Sequence, residues 1–186
     1  MYLVPPAKNG KDKYPSIDRV MVGGNSHGML TISNCMFFNA SNYAMRFGHW
    51  SGKVILINNI FVNSRMMAVD IWGKSAKPGS FQFEFAYNTV LFTWSRLEDF
   101  LDMGYGIRSN TNSICNFHHN ILGLSIMSAV DDSKGSPKTK KISLDNNMFF
   151  LNKKGDFSFT VSPHIKYMKV TEDSWEDLEE LDQIES

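Results

Sequence analysis

The sequence predicts an all-β fold, a right-handed parallel β-helix of about five rungs with a short C-terminal helix. Three observations predict it. An apolar alternation that runs into Asn and then a second apolar run occurs five times: LTISNCMFF from Leu30, VILINNIFV from Val54, FEFAYNTVL from Phe83, CNFHHNILG from Cys115 and ISLDNNMFF from Ile142. Aligned, the phrases put Cys35, Asn59, Asn88, Asn120 and Asn147 in one column, at separations of 24, 29, 32 and 27 residues. Repeats of this length mark stacked units, and period-two alternation inside them marks strands. No amphipathic helical stretch lies between the phrases, which argues against a two-layer α/β arrangement.

The opening strand of each unit alternates between two faces. Leu30 and Ile32, Val54 and Leu56, Phe83 and Phe85, Cys115 and Phe117, and Ile142 and Leu144 form the inward set. Thr31 and Ser33, Ile55 and Ile57, Glu84 and Ala86, Asn116 and His118, and Ser143 and Asp145 form the outward set. The Asn column then turns the chain. Asn tolerates left-handed backbone, bonds locally to it, and stacks into amide ladders. Phe37, Phe61 and Phe149, with Val90 and Leu122, should stack inside after it.

Each unit carries a further short strand: YAMRFG from Tyr43, AVDIWG from Ala68, YGIRSN from Tyr105, SIMSAV from Ser125 and FSF from Phe157. Two excursions interrupt the repeat, TWSRLEDFLDMGYG (93–106) and the turn-rich stretch around 128–141. Such loops are either tolerated insertions or a binding face. The organisation expected is an N-terminal segment with a first partial rung (1–25), the β-helix (26–160) and a tail with an acidic capping helix (161–186). Asp173 or Ser174 supplies that helix's N-cap, and Trp175, Leu178 and Leu181 its apolar stripe. The unpatterned first fifteen residues make a poor cap for exposed strand edges, so the chain reads as a piece of a longer solenoid.

At 186 residues the chain is one domain. Its formal charge of zero provides no bulk attraction to nucleic acid or an anionic membrane. No run of about 18 apolar residues is present, so no membrane span is expected. The start, MYLVPPAKNG, is not a signal peptide. Cys35 and Cys115 fall three rungs apart, roughly 14 Å, where a disulfide needs about 7 Å or less, and are expected as buried free thiols.

The phrases SNCMFFN, INNIFVN and DNNMFFLN resemble rungs of the pectin-lyase-like right-handed β-helix superfamily, over Ser26 to Thr160. The resemblance implies an extracellular or cell-surface carbohydrate-active protein whose partner is a polysaccharide, an acidic one in the nearest likeness. GIRSNTNSICNFHHNILGL (106–124) is similar to the GIR-containing rung of alginate and dermatan lyases, where an outward Arg contacts uronate. MRFGHWSGKVILINNIFVN (45–63) is similar to the preceding rung there, although here a whole rung intervenes. The acid-rich calcium motif of pectate lyases and the paired Asp of polygalacturonases are not found. The implied function is a polysaccharide lyase acting on uronates. The alternative is a non-catalytic carbohydrate-binding or structural segment of a larger surface protein.

A uronate lyase needs a base for the C5 proton, a cation against the carboxylate and a proton donor for the leaving oxygen. His118 or His119 would be the base, Tyr87 the donor and Arg108 the cation, with Glu84, Asn116 and Asp145 contacting substrate beside them. These same residues could instead decorate a solvated sheet face. Arg46, Asp70 and Arg108 form a second column, read as a ladder of ion pairs or as a seat for an acidic sugar. Trp50, Trp72 and Trp94 suit either sugar stacking or packing under a loop. Glu98, Asp99 and Asp102, with Asp131 and Asp132, carry oxygen atoms suited to Ca²⁺, or merely face water.

Overall fold

Alternation of large apolar with polar residues leaves a strand one dry face and one wet face, and stacking of repeats then pairs like with like. The computed structural model describes residues 20–49, 51–71, 80–94, 103–109, 113–132, 141–159 and 164–170. Among these residues the chain is all strand, with no helix. In order the strands are β1 (Val20–Ser26), β2 (Met29–Ser33), β3 (Met36–Ala40), β4 (Tyr43–His49), β5 (Gly52–Ile57), β6 (Ile60–Ser64), β7 (Met67–Ile71) and β8 (Phe81–Ala86). There follow β9 (Thr89–Thr93), β10 (Tyr105–Ser109), β11 (Ser113–His118), β12 (Ile121–Ser125), β13 (Val130–Asp132), β14 (Lys141–Phe150), β15 (Phe157–Phe159) and β16 (His164–Val170).

Every pairing is parallel, and it joins each strand to its counterpart in the next repeat. One sheet runs β1-β4-β7-β10-β13-β15; the other runs β2-β5-β8-β11-β14-β12-β9-β6-β3, with β16 on β14. The register follows the sequence alignment: Val54 pairs with Phe83, Phe83 with Cys115, and Cys115 with Ile142. The expected inward set is buried, except that Leu30 and Ile32 in the first repeat are only partly covered. Phe47, Phe61, Phe83, Phe85, Phe117 and Phe149 share one core with residues from both sheets. Phe37 stacks on Phe61 at 5.1 Å, and Phe83 meets Phe117 edge-on at 5.9 Å. Each such pair is worth about 0.5–1.5 kcal/mol beyond its area.

The Asn column forms the expected ladder, one step different in its backbone. Asn59, Asn88, Asn120 and Asn147 are buried, and each Oδ1 accepts the backbone N–H of the column residue one repeat earlier, at 2.8–3.1 Å. Their side-chain amides donate to Ile32, Leu56, Phe85 and Phe117 carbonyls. The left-handed residue is the one before: Asn34, Asn58, Tyr87, His119 and Asn146, with φ of 52–56°. That residue makes the turn, leaving the ladder Asn pointing inward to satisfy backbone groups that a buried corner would otherwise strand. A second left-handed column, four residues after the ladder, comprises Asn39, Asn63, Phe92, Leu124 and Leu151.

Other expectations shift. Ala86, expected outward, is buried, and Cys35 is only half-buried although both thiols are free. SIMSAV does not begin a strand at Ser125. Ser125 ends β12, in register with Thr93, and the strand pairing β10 starts at Val130. The C-terminal helix, Trp50, Trp72, Glu98, Asp99 and Asp102 lie outside the described residues.

Candidate functional site

The outward positions of β8, β11 and β14 lie side by side. Glu84, Asn116 and Ser143 are in register, and so are Ala86, His118 and Asp145. Glu84 Oε1 accepts from the Asn116 amide at 2.9 Å and meets His118 Nε2 at 2.7 Å. Asn116 Oδ1 accepts from the Ser143 hydroxyl at 2.6 Å. Lys53 on β5 reaches Glu84 Oε2 at 3.8 Å. With the carboxylate partly exposed, this ion pair contributes about 0–1 kcal/mol.

At the corner beyond these strands, Tyr87 and His119 occupy the left-handed column. Asn is at home there, whereas an aromatic residue in this backbone is strained, Tyr more than His. One repeat apart, their rings stack with centroids 4.9 Å apart and planes 19° apart. Tyr87 is 52% exposed. His118 meets Tyr87 edge-on, and its Nδ1 lies 3.0 Å from His119 Nδ1. Both His118 ring nitrogens are therefore engaged.

Thus His118, His119, Tyr87, Glu84 and Asn116 come together, with Asp145 opposite His118 on the next strand. Arg108 does not join them. It lies on β10 in the other sheet, buried, with Nε 3.6 Å from Asp70 Oδ1, while Arg46 Nε lies 3.4 Å from Asp70 Oδ2. Arg46, Asp70 and Arg108 are in register, and Asp131 follows Arg108. That column is an ion-pair ladder, remote in the fold from the histidines. Trp94 sits at a third place, donating its indole N–H to Asn63 Oδ1 at 2.8 Å.

Among the described residues no group of three or more His, Cys, Asp or Glu could hold a metal ion. Of the acidic set considered for Ca²⁺, Asp131 is a buried member of the charge ladder, and the Asp132 side chain lies outside the description. Among the described residues, no helix is long and apolar enough to cross a membrane.

Two participants escaped the reading by sequence. Lys53 lies six residues before its ladder position, as Gln82 does, so its place beside the Glu84 row was available from the alignment. The corner formed by Phe92, Leu124 and Leu151 was marked only by a constant offset of four from the ladder. Comparison with protein-family models, curated proteins and solved structures gave no match. The likeness to pectin-lyase-like rungs therefore rests on the repeat phrases.

Proposed function

We propose that the chain coils as a right-handed parallel β-helix of the pectin-lyase-like kind, and that it is a non-catalytic, polysaccharide-binding segment of an extracellular protein. The observation that carries this reading is the Tyr87–His119 stack. Two aromatic rings stand in strained turn positions that Asn fills in the other repeats, and they face outward. Strain of about 1–3 kcal/mol per residue persists where the side chain is needed. An aromatic plate suits the apolar face of a sugar ring, and the row of Glu84, His118, Asn116 and Ser143 beside it offers fixed donors and acceptors for hydroxyls.

Binding without cleavage is favoured by three features of the same face. Both nitrogens of His118 lie within hydrogen-bond distance of other side chains, Glu84 Oε1 at 2.7 Å and His119 Nδ1 at 3.0 Å, so a substrate proton could reach neither without displacing one of them. Arg108, the cation a uronate lyase would need, is held by Asp70 in the other sheet. Lys53, the cation on this face, is engaged by Glu84. The lyase reading retains one support, the 2.7 Å contact by which Glu84 orients His118 as it would orient a base.

The test is a panel of neutral and uronate polysaccharides, measured for binding by calorimetry and for formation of an unsaturated uronide by ultraviolet absorbance. Binding that is lost in Tyr87→Ala, with no absorbance rise, supports the proposal. An absorbance rise that His118→Ala abolishes would replace it with the lyase. Absence of binding across the panel would leave a structural role.

A further inference from the structure

Beyond the ladder corner, β3, β6, β9, β12 and the second half of β14 present an outer face of their own. Two columns of residues point out from it. Met36, Ile60, Thr89, Ile121 and Met148 form one, and Phe38, Val62, Leu91, Gly123 and Phe150 the other. None of these is charged, and Thr89 alone carries a hydroxyl. Met36, Phe38 and Ile121 are 62%, 44% and 40% exposed. The Phe150 ring fills the gap over Gly123, where an added Cβ would come within 2.3 Å of it. Past the next corner the apolar surface continues at Phe92, Leu124 and Leu151, which line a groove of about 230 Å³. A contiguous apolar patch of this kind marks an interaction site.

We propose that this face is the contact between two copies of the chain, packed sheet against sheet about a two-fold axis. The chemistry of the face selects this occupant. A sugar or another small ligand needs placed donors and acceptors, and the two columns offer a single hydroxyl. An acidic polymer or an anionic lipid would find no counter-charge in them. What fits is a second flat, pleated, uncharged face, and another copy brings one.

Charge and area agree with it. The formal net charge of the chain is zero, so two copies meet without net repulsion. Five strands about 4.8 Å apart, each contributing five residues of about 3.3 Å, make a face of about 24 by 16 Å. That is about 400 Å² per copy, and roughly 500 Å² with the corner groove. Two copies therefore bury about 1,000 Å², enough for a specific, reversible dimer. A two-fold axis through the middle of the patch passes beside β9, the third of the five strands, and sets that strand against its own copy. The contact uses none of the residues assigned to sugar binding, so it stands apart from that reading.

Sedimentation velocity on the full chain, from low to high micromolar concentration, tests this. A monomer–dimer equilibrium is expected. Phe38→Glu with Ile121→Glu should weaken it at least about tenfold, because the contact would bury unpaired charge. Ile114→Glu, similarly exposed at 38% but on β11 before the ladder corner, should leave it unchanged. Circular dichroism establishes that each variant is folded, and Met36→Glu repeats the test should the double variant not fold. In a second measurement Thr89→Cys is treated with a short bis-maleimide and mapped by mass spectrometry, and a link from 89 to 89 between copies is expected. A chain that stays monomeric throughout overturns the proposal; if it then floats with phosphatidylcholine vesicles, the face belongs to a lipid surface. A dimer indifferent to the double variant, or weakened as much by Ile114→Glu, also overturns it, as does a dimer without the 89-to-89 link.

Discussion

Asn120 Oδ1 accepts twice from Asn88, at 2.8 Å from its backbone N–H and at 3.3 Å from its side-chain amide. The Asn120 amide donates in turn to the Phe85 carbonyl at 2.8 Å and to Asn147 Oδ1 at 2.8 Å. One buried side chain thus ties its own repeat to the repeats on either side. Asn120→Ala strands the Asn88 N–H and the Phe85 carbonyl, and should cost about 2–4 kcal/mol. The check is urea unfolding, where the midpoint should fall with the slope unchanged. Cys35→Asn should do the opposite, adding a rung to the ladder for about 0.5–1 kcal/mol.

Tyr87 stands in left-handed backbone at φ 55°, where Asn58 stands at φ 54° in the repeat before. Tyr87→Asn should therefore stabilise the fold by about 1 kcal/mol while removing the ring proposed to stack on sugar. Paired measurements of melting temperature and polysaccharide affinity decide this. A variant that loses stability, or that gains it while keeping full affinity, counts against the assignment.

Gly28 and Gly52 are both left-handed, at φ 94° and 90°, yet they should respond differently to alanine. A Cβ at Gly28 meets nothing within 4 Å, whereas one at Gly52 would lie 2.0 Å from the Gly28 carbonyl oxygen. Gly28→Ala should cost about 1–2 kcal/mol from backbone strain alone. Gly52→Ala must also push two adjacent strands apart, and about 3 kcal/mol or more is expected. Equal midpoint shifts in denaturant would contradict the close approach.

Asp70 is fully buried between Arg46 and Arg108. Asp70→Ala leaves the buried Arg108 guanidinium without that carboxylate, and should cost about 3–5 kcal/mol. Its effect on the proposed polysaccharide binding should be negligible while the protein is folded, because the ladder lies on the other sheet. Calorimetry of the variant below its melting temperature separates the two effects.

The strands and their register were legible because one signal, period-two burial anchored on Asn, recurs at every level of the stack. The pairing of Glu84 with Asn116, and the stacking of Tyr87 on His119, follow from that alignment. Arg108 was misjoined to His118 for a related reason. The two residues are only ten apart in sequence, but Arg108 lies in β10 of one sheet and His118 ends β11 of the other. Proximity along the chain hid the corner between them. The shift of the left-handed position from the ladder Asn to its predecessor was likewise hidden, since Asn occupies both positions in two repeats.

By itself the sequence determined which residues share a column, because stacking equal positions one repeat apart needs only a repeat length and an alternation. It determined the dry core, the ladder and the parallel pairing in the same way. The tertiary structure alone decided what meets at each corner: that His118 stands edge-on to Tyr87, that Arg108 stays away from both in the other sheet, and that Phe92, Leu124 and Leu151 line one groove. Those neighbours depend on the angle of each turn. That angle is a balance of backbone strain and buried hydrogen bonds, and a pattern of apolar and polar letters does not record it.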